Sequence, residues 1–298
     1  MIERMNQGTN PDATQPDSRV AASSTGTPVY TRQGACLPSD TTPTPPHPAL
    51  TTYTSARVSL QQTGHALATA EILQLQLAAA QARDAVHANL DISALIAGLT
   101  QRNLPHIVLT SAAKTRADYL RNPTLGRTLS APAENALKNH ANESPDARNY
   151  DLAVVIADGL SALAVDRHAL PLLDAALPLL DPSRKIAPIS IVEQARVAIA
   201  DPVGQLLRAQ LSVILIGERP GLSSPDSLGV YITWHPRPGR TDAERNCISN
   251  IRPEGLSYQE AATLLLFYLT ESRRLQQTGT LLKPSNTTQP PPLPPSKP

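Results

Sequence analysis

The fold is decided by the stretch that runs from Leu211 to Asn250 and reads LSVILIGERPGLSSPDSLGVYITWHPRPGRTDAERNCISN. Its first apolar run, Val213 to Ile216, has no polar alternation, which predicts a strand buried on both faces of a parallel sheet. The strand is expected to end at Gly217. Residues 218–228 then carry Gly, Ser and Pro instead of an apolar period. This pattern indicates a long loop at the end of a buried strand, where ligands commonly bind.

The sequence before this stretch repeats a pattern of strand, turn and helix. Leu152 to Ile156 has the composition of a buried strand, 157–159 that of a turn, and Leu160 to Leu173 that of a helix with a break near Pro171. A second strand is expected over Pro188 to Val192, with a helix before the central strand. Alternation at this interval favours right-handed crossovers and a three-layer parallel sheet of the α/β class.

Two further helices carry clear signals. A stripe of apolar residues at intervals of three and four predicts an amino-terminal helix with Thr69 as N-cap. The last helix is expected to begin after Ser257, which forms a capping box with Glu260. The two apolar stripes are Ile72, Leu75, Ala79, Ala82 and Val86 in the first helix, and Ala261, Leu265 and Leu269 in the last.

Composition limits the classes of protein that the chain can represent. Its 298 residues favour two domains, and a formal net charge of +1 gives no support to a nucleic-acid or membrane partner. The two cysteines, Cys36 and Cys247, argue against a disulfide framework and for a reducing compartment. Neither a signal peptide nor an apolar span of eighteen residues is found. We therefore expect a soluble intracellular protein.

The sequence contains no self-sufficient catalytic constellation. No G-x-G-x-x-G follows an expected strand, and P-loop and H-E-x-x-H motifs are absent from the sequence. None of the seven histidines is placed to form a triad, and Cys247 has no neighbour at metal-ligand spacing. Asp166 and His168 resemble part of the Asp-x-His-x-x-Gly motif of base-off cobalamin proteins, but Pro171 replaces its glycine. We assign no catalytic and no metal-binding residue.

Three blocks of sequence carry a resemblance to a known family. They are GERPGLSSPDSLGVY from Gly217, TDAERNCISNIRPEGLSYQEAA from Thr241, and LTSAAKTRADYLRNPTLGRTLS from Leu109. Together they resemble the small (light) subunit of ethanolamine ammonia-lyase. The arginines of the third block, including Arg116 and Arg127, are expected either at an interface or in helix-surface ion pairs.

Composition and resemblance together give a domain organisation. The composition predicts a disordered Thr/Ser/Pro-rich tail over residues 1–50 and a disordered Pro-rich tail over 283–298. The resemblance implies a helical amino-terminal domain over 51–147 and a Rossmann-like α/β domain over 148–282. The resemblance also implies a function, in which the chain binds adenosylcobalamin at the interface with a large subunit that is a TIM barrel. The hetero-oligomer would convert ethanolamine to acetaldehyde and ammonia in the cytoplasm, within a bacterial microcompartment.

Three residues are implied as cofactor contacts, and each has a simpler interpretation. Glu218 could accept hydrogen bonds from the side-chain amides of a corrin ring, or it could pair with Arg219 and only fix the loop. Cys247 could face the cofactor or fill a small apolar space. Val197 could pack on the corrin face or belong to the core. The hypothesis is that segments around Asp158, Glu218 and Cys247 form half of a concave site that a second protein completes.

Two other functions remain open from the sequence. A stand-alone α/β enzyme could bind a nucleotide or phosphate ester at the same strand ends, although the missing glycine motif argues against it. Alternatively, the chain could be a scaffold that links the large subunit to a microcompartment through its tails.

Overall fold

The structure is a computed structural model that describes residues 62–143 and 149–284, together with residues 50, 52–53, 56–58 and 60. The described residues do not include 1–49 and 285–298. These two ranges make up nearly all of the expected tails, and Cys36 lies in the first of them. The described part of the chain is of the α/β class, as the sequence predicts.

A six-stranded mixed sheet forms the centre of the fold, with a small two-stranded sheet before it. The strands are β1 (Gln62–Thr63), β2 (Ala66–Leu67), β3 (His106–Thr110), β4 (Leu152–Ala157), β5 (Ile189–Glu193), β6 (Leu211–Gly217), β7 (Leu228–Trp234) and β8 (Arg245–Ile251). In the small sheet, β1 pairs with β2 in antiparallel fashion. The strand order in the large sheet is β3-β5-β4-β6-β7-β8.

The prediction of an entirely parallel sheet is wrong for two strands. Strands β3, β5, β4 and β6 are parallel, but β7 is antiparallel to β6, and β8 is antiparallel to β7. A parallel neighbour requires a crossover of a dozen or more residues, usually through a helix. The loop from Glu218 to Ser227 has no helix, so the chain turns back along the strand it has just left. The mixed sheet follows from this connection.

Helices cover both faces of the large sheet. The α-helices are α1 (Thr69–His87), α2 (Ile92–Gln101), α3 (Arg116–Arg121), α4 (Ala131–Glu143), α5 (Ala162–Ala176), α6 (Ala200–Leu206) and α7 (Tyr258–Leu275). Alternate residues of β4 divide between two core clusters: Val154 packs with α2, α5 and α7, whereas Val155 packs with α4 and α6. The three layers are therefore present. The 3-10 turns are Leu125–Arg127, Leu177–Leu179, Val197–Ile199 and Asp242–Glu244.

Strand β3 lies in the range expected for a helical amino-terminal domain, yet it pairs with β5 in the large sheet. This pairing places part of the residues before 148 in the same sheet as the residues after it. The division into folded domains at 147 stays a prediction.

The signals for individual helices differ in outcome. The capping box of α7 is confirmed, because the Ser257 hydroxyl accepts from the Glu260 amide at 3.3 Å and the Ser257 amide donates to the Glu260 carboxylate at 3.2 Å. The break near Pro171 is wrong, since α5 continues through it to Ala176. Burial of Leu172 and Leu173 beyond the proline offsets the missing backbone hydrogen bond.

The apolar stripe predicted for α1 is wrong. The helix begins after Ala68, not Thr69, and its buried residues are Ala78 and Ala85. Ile72 and Leu75, which the stripe places in the core, are exposed by 39% and 37%. The periodicity identifies the helix correctly, but the apolar residues extend around most of its circumference.

Candidate functional site

A concave cavity of about 370 Å³ lies at the carboxyl edge of the parallel strands. It is formed where β4 and β6 end, at the segment that follows β5, and at one residue of β7. Its wall includes Tyr119, Gly159, Arg196, Val197, Glu218 and Tyr231. Carboxyl edges of parallel strands are the usual position of ligand sites in α/β proteins.

Two glycines allow the segments below the cavity to meet. Gly159 has a φ of +57°, and a Cβ at this position would lie 2.2 Å from the carbonyl oxygen of Gly217. A Cβ on Gly217 would lie 1.9 Å from the carbonyl oxygen of Ser161. In the close packing that results, the Leu160 amide donates to the Gly217 carbonyl at 3.0 Å. A side chain at either glycine would separate the ends of β4 and β6.

Glu218 projects from the end of β6 and is held on one carboxylate oxygen. Its Oε2 accepts from the hydroxyl of Ser227 and, at 3.1 Å, from the backbone amide of Asn250. Among the described residues, the structure shows no donor on Oε1, and Glu218 forms no ion pair with the exposed Arg219. The simpler interpretation, in which Glu218 pairs with Arg219, is therefore wrong. One oxygen is fixed, and the other can accept from a ligand.

Gly229, on β7, leaves the space in which the Glu218 side chain lies. A Cβ at this position would be 2.9 Å from Oε1 and 3.0 Å from Cγ of Glu218. The three nearest atoms all belong to Glu218, so the space left by the missing side chain of Gly229 is filled by Glu218.

Val197 and Cys247 both lie near Glu218, but they are placed differently. Val197 begins the 3-10 turn after β5, lines the cavity and packs partly against the core. Cys247 lies on β8 directly opposite Tyr231, which lines the cavity. Cys247 is exposed, but the atoms around its sulphur still desolvate it and raise the pKa of the thiol. A thiol with a raised pKa is a poor nucleophile at neutral pH.

Asp158 is buried behind the cavity and does not line it. Only 1% of the residue is exposed. Its carboxylate accepts from the backbone amides of Gln194 and Ala195, both at 3.0 Å, and from Arg116 at 3.1 Å. Burial raises the pKa of Asp158, while the amide of Ala195 and the charge of Arg116 oppose the shift. Asp158 therefore links the ends of β4 and β5 through hydrogen bonds. The residues of this turn that line the cavity are Gly159 and Leu160.

One wall of the cavity holds an aromatic residue in contact with two arginines, a group that the sequence did not predict. The guanidinium carbons of Arg116 and Arg196 lie 4.8 and 4.9 Å from the centre of the Tyr119 ring. Arg116 also donates to the carbonyl oxygens of Val86 and Gly159, at 2.8 and 2.9 Å. The helix-surface interpretation is therefore wrong for Arg116. The Arg-x-x-Tyr spacing of the third block was the signal that could have identified this group.

His168 lies away from the cavity, inside α5. It is 4% exposed, its Nδ1 lies 2.8 Å from the hydroxyl of Tyr258, and its Nε2 lies 3.5 Å from Asp226. Within the part of the chain that the structure describes, no group of three or more His, Cys, Asp or Glu side chains could hold a metal ion. The helices in that part are also too short or too polar to cross a membrane.

Comparison with known proteins identifies a family. A model of the ethanolamine ammonia-lyase light chain (EutC) matches residues 45–283. A protein named ethanolamine ammonia-lyase small subunit from Azotobacter vinelandii is 53% identical over 248 residues, which cover 82% of this chain and 91% of the relative. A protein of the same name from Ralstonia nicotianae is 52% identical, and the match covers 80% of this chain and 88% of that relative. Another from Pseudomonas putida is 51% identical, and the match covers 81% of this chain and 89% of that relative.

Proposed function

Because the chain belongs to the ethanolamine ammonia-lyase light-chain family, we propose that it holds one edge of adenosylcobalamin against the large subunit of that enzyme. The complex converts ethanolamine to acetaldehyde and ammonia. When bound, the cofactor supplies the radical that removes hydrogen from the substrate. The residues of this chain bind and orient the cofactor, and the substrate-binding residues lie on the partner chain.

The position of Glu218 is the observation that supports this proposal most directly. Corrin rings carry side-chain amides around their rim, and an amide N–H needs an acceptor once it leaves water. Glu218 offers Oε1, while Oε2 is kept in place by Ser227 and Asn250. Because its orientation is fixed before binding, the carboxylate loses little side-chain entropy when it accepts from a ligand.

Val197 and Cys247 complete the proposed set of cofactor contacts. Val197 offers an aliphatic surface on the cavity wall, suited to the apolar part of a macrocycle. Cys247 offers a neutral thiol beside Tyr231, since its pKa is raised. We assign it a packing contact and no redox step.

The size of the cavity supports a shared site. A volume of about 370 Å³ is at the lower end of the range for ligand pockets, which extends from roughly 300 to 1,000 Å³ for molecules much smaller than a cobalamin. This chain would therefore enclose one edge of the cofactor. We propose that the large subunit, a TIM barrel, covers the rest in a hetero-oligomer.

Several finer features belong to the same proposal. We propose that the α/β region is Rossmann-like and follows a helical amino-terminal domain, and that the complex acts in the cytoplasm within a bacterial microcompartment. The family membership is what supports these features.

Reconstitution with the large subunit tests the role of Glu218. We expect Glu218→Ala to weaken adenosylcobalamin binding by about 1–3 kcal/mol per lost pairing, or roughly 5- to 150-fold. The measurement is a spectroscopic titration of the complex with the cofactor. Glu271→Ala is the matched control, since Glu271 pairs with Arg274 in the last turns of α7. Equal cofactor affinity in the Glu218 and Glu271 variants would remove the basis of the assignment.

A further inference from the structure

The guanidinium of Arg196 lies at the wall of the cavity without an acceptor. Arg196 follows β5, and its backbone amide donates to the carbonyl oxygen of Gly126 at 2.7 Å. No described residue forms an ion pair with its side chain or accepts a hydrogen bond from it, and its Nε is buried. A buried N–H without an acceptor costs free energy, and such a group at a cavity wall indicates an acceptor from outside the chain.

The ring of Tyr119 restricts the position of this guanidinium. The guanidinium carbon of Arg196 lies 4.9 Å from the ring centre, which is within the range of a cation–π contact. Tyr119 is fully buried, and its hydroxyl donates to the carbonyl oxygen of Ala195 at 3.2 Å. The ring is thus fixed to the residue that precedes Arg196. A guanidinium that is held before binding loses little entropy when it donates to a ligand.

The cavity therefore offers a held donor and a held acceptor. The acceptor is Oε1 of Glu218, to which no described residue donates, and both residues line the cavity. Arg196 follows β5 and Glu218 follows β6, with β4 between them in the sheet. Two strand spacings of roughly 4.8 Å place the two segments about 10 Å apart. Two hydrogen bonds of about 2.9 Å each and the width of one amide group span most of that distance.

We propose that Arg196 donates to a carbonyl oxygen on the amide-bearing rim of the cofactor, while Glu218 accepts from amide N–H groups of the same rim. This inference rests on the proposed function and adds to it a binding residue and a selectivity. An amide carries both the donor and the acceptor that the cavity requires. A carboxylate or phosphate could meet Arg196, but it would be repelled by Glu218 and would leave Oε1 without a donor.

Replacement of Arg196 with methionine tests the donor. Methionine keeps an unbranched apolar stem beside Tyr119 and removes every side-chain N–H. In the complex with the large subunit, we expect Arg196→Met to weaken adenosylcobalamin binding at least about fivefold in a spectroscopic titration. Arg196→Lys keeps a charged donor and should recover part of that affinity.

Arg237→Met is the matched control. Arg237 is exposed and follows β7, whose last residue, Trp234, pairs with the first residue of β6. It therefore lies at the edge of the sheet opposite the cavity. This variant should bind the cofactor as the unmodified complex does. Equal affinity of the Arg196→Met and Arg237→Met complexes would overturn the proposal.

A change in the ligand tests which of its groups Arg196 meets. Adenosylcobinamide keeps the amides of the ring but lacks the phosphate diester and the nucleotide. We expect Arg196→Met to lower the affinity for adenosylcobinamide and for adenosylcobalamin by the same factor. An effect that vanishes with adenosylcobinamide would assign Arg196 to the phosphate and would overturn the proposal.

The selectivity is tested in the complex with Arg196 intact, so it does not depend on how the Arg196 variants fold. The probes are cobalamins in which one propionamide is hydrolysed to a carboxylate. At least one of them should bind more weakly than the parent cobalamin, because Glu218 repels the new charge. Glu218→Gln should reduce that difference. A difference that is absent, or that Glu218→Gln leaves unchanged, would refute the selectivity for amides.

Failure of this proposal can be told apart from failure of the proposed function. If Glu218→Ala weakens cofactor binding and Arg196→Met does not, Arg196 is misassigned and the cofactor role of the chain stands. If neither substitution changes the affinity, the cavity does not hold the cofactor, and both proposals fail.

Discussion

Replacing Gly229 with alanine tests whether the position of Glu218 depends on the missing side chain at this glycine. The new methyl group would lie 2.9 Å from Oε1 and 3.0 Å from Cγ of Glu218, so the carboxylate must move. Movement breaks the hydrogen bonds from Ser227 and Asn250 to Oε2. Because the φ of Gly229 is not positive, the backbone itself accepts alanine.

The expected magnitude follows from these contacts. Hydrogen bonds to a charged acceptor contribute about 1.5–3 kcal/mol each, and alanine in a strand is favoured over glycine by about 0.5–1 kcal/mol. Loss of both bonds thus gives a net loss of about 2–5 kcal/mol. Glu218 is half-buried, so water replaces part of the lost interaction. We expect the free energy of unfolding to fall by about 2–3 kcal/mol.

A double-mutant cycle separates this effect from general damage to β7. In a Glu218→Ala chain the obstructing atoms are gone, and Gly229→Ala should raise the free energy of unfolding by about 0.5–1 kcal/mol. The assay is urea unfolding of the four chains, followed by circular dichroism. A change of the same sign and size in both backgrounds would refute the argument that Gly229 makes room for Glu218.

Three further substitutions test the surrounding structure. Gly217→Ala should cost more than about 3 kcal/mol, because its Cβ has no room against the turn after β4, and a large fall in the thermal unfolding midpoint would show this. Arg245→Ala should lower the free energy of unfolding in urea by about 3–5 kcal/mol, because it leaves the buried carboxylate of Asp201 unpaired. Replacing the exposed Arg274 with alanine should change that free energy by less than about 0.5 kcal/mol. Burial lowers the pKa of His168, so the unfolded chain binds more protons and stability should fall as the pH drops below about 6.5. His168→Gln should remove that part of the pH dependence in urea unfolding between about pH 7.5 and 5.5; an unchanged dependence would exclude His168 as its source.

The sequence predicts those features of the fold that depend on local pattern. Val213 to Ile216 is apolar throughout, and it lies in a strand buried on both faces. The capping box at Ser257 involves residues three apart, and the structure contains it. The direction of β7 depends instead on whether the preceding loop reaches across the sheet, which residue composition does not specify.

The site residues that the sequence does not predict are those that come together through contacts between distant segments. Family resemblance leads to Val197 and Glu218, both on the cavity wall, and to Cys247 beside it. Tyr119 and Arg196 are 77 positions apart and meet only through tertiary packing. The misassigned face of α1 has another cause. Apolar residues occur on most sides of this helix, so their periodicity identifies the helix but does not specify which face packs against the sheet.

The hydrogen bond from Asn250 to Glu218 has a consequence for biosynthesis. It joins residues 32 positions apart, and its donor lies on the last strand of the sheet. A nascent polypeptide lacks this donor until the ribosome has passed residue 250, and the strand must then pair before Glu218 takes up its final orientation. The edge of the cavity that carries Glu218 is therefore completed only after the last strand of the sheet has been synthesised. Chains terminated before residue 250 would lack this donor, and Ser227 alone would hold the carboxylate of Glu218.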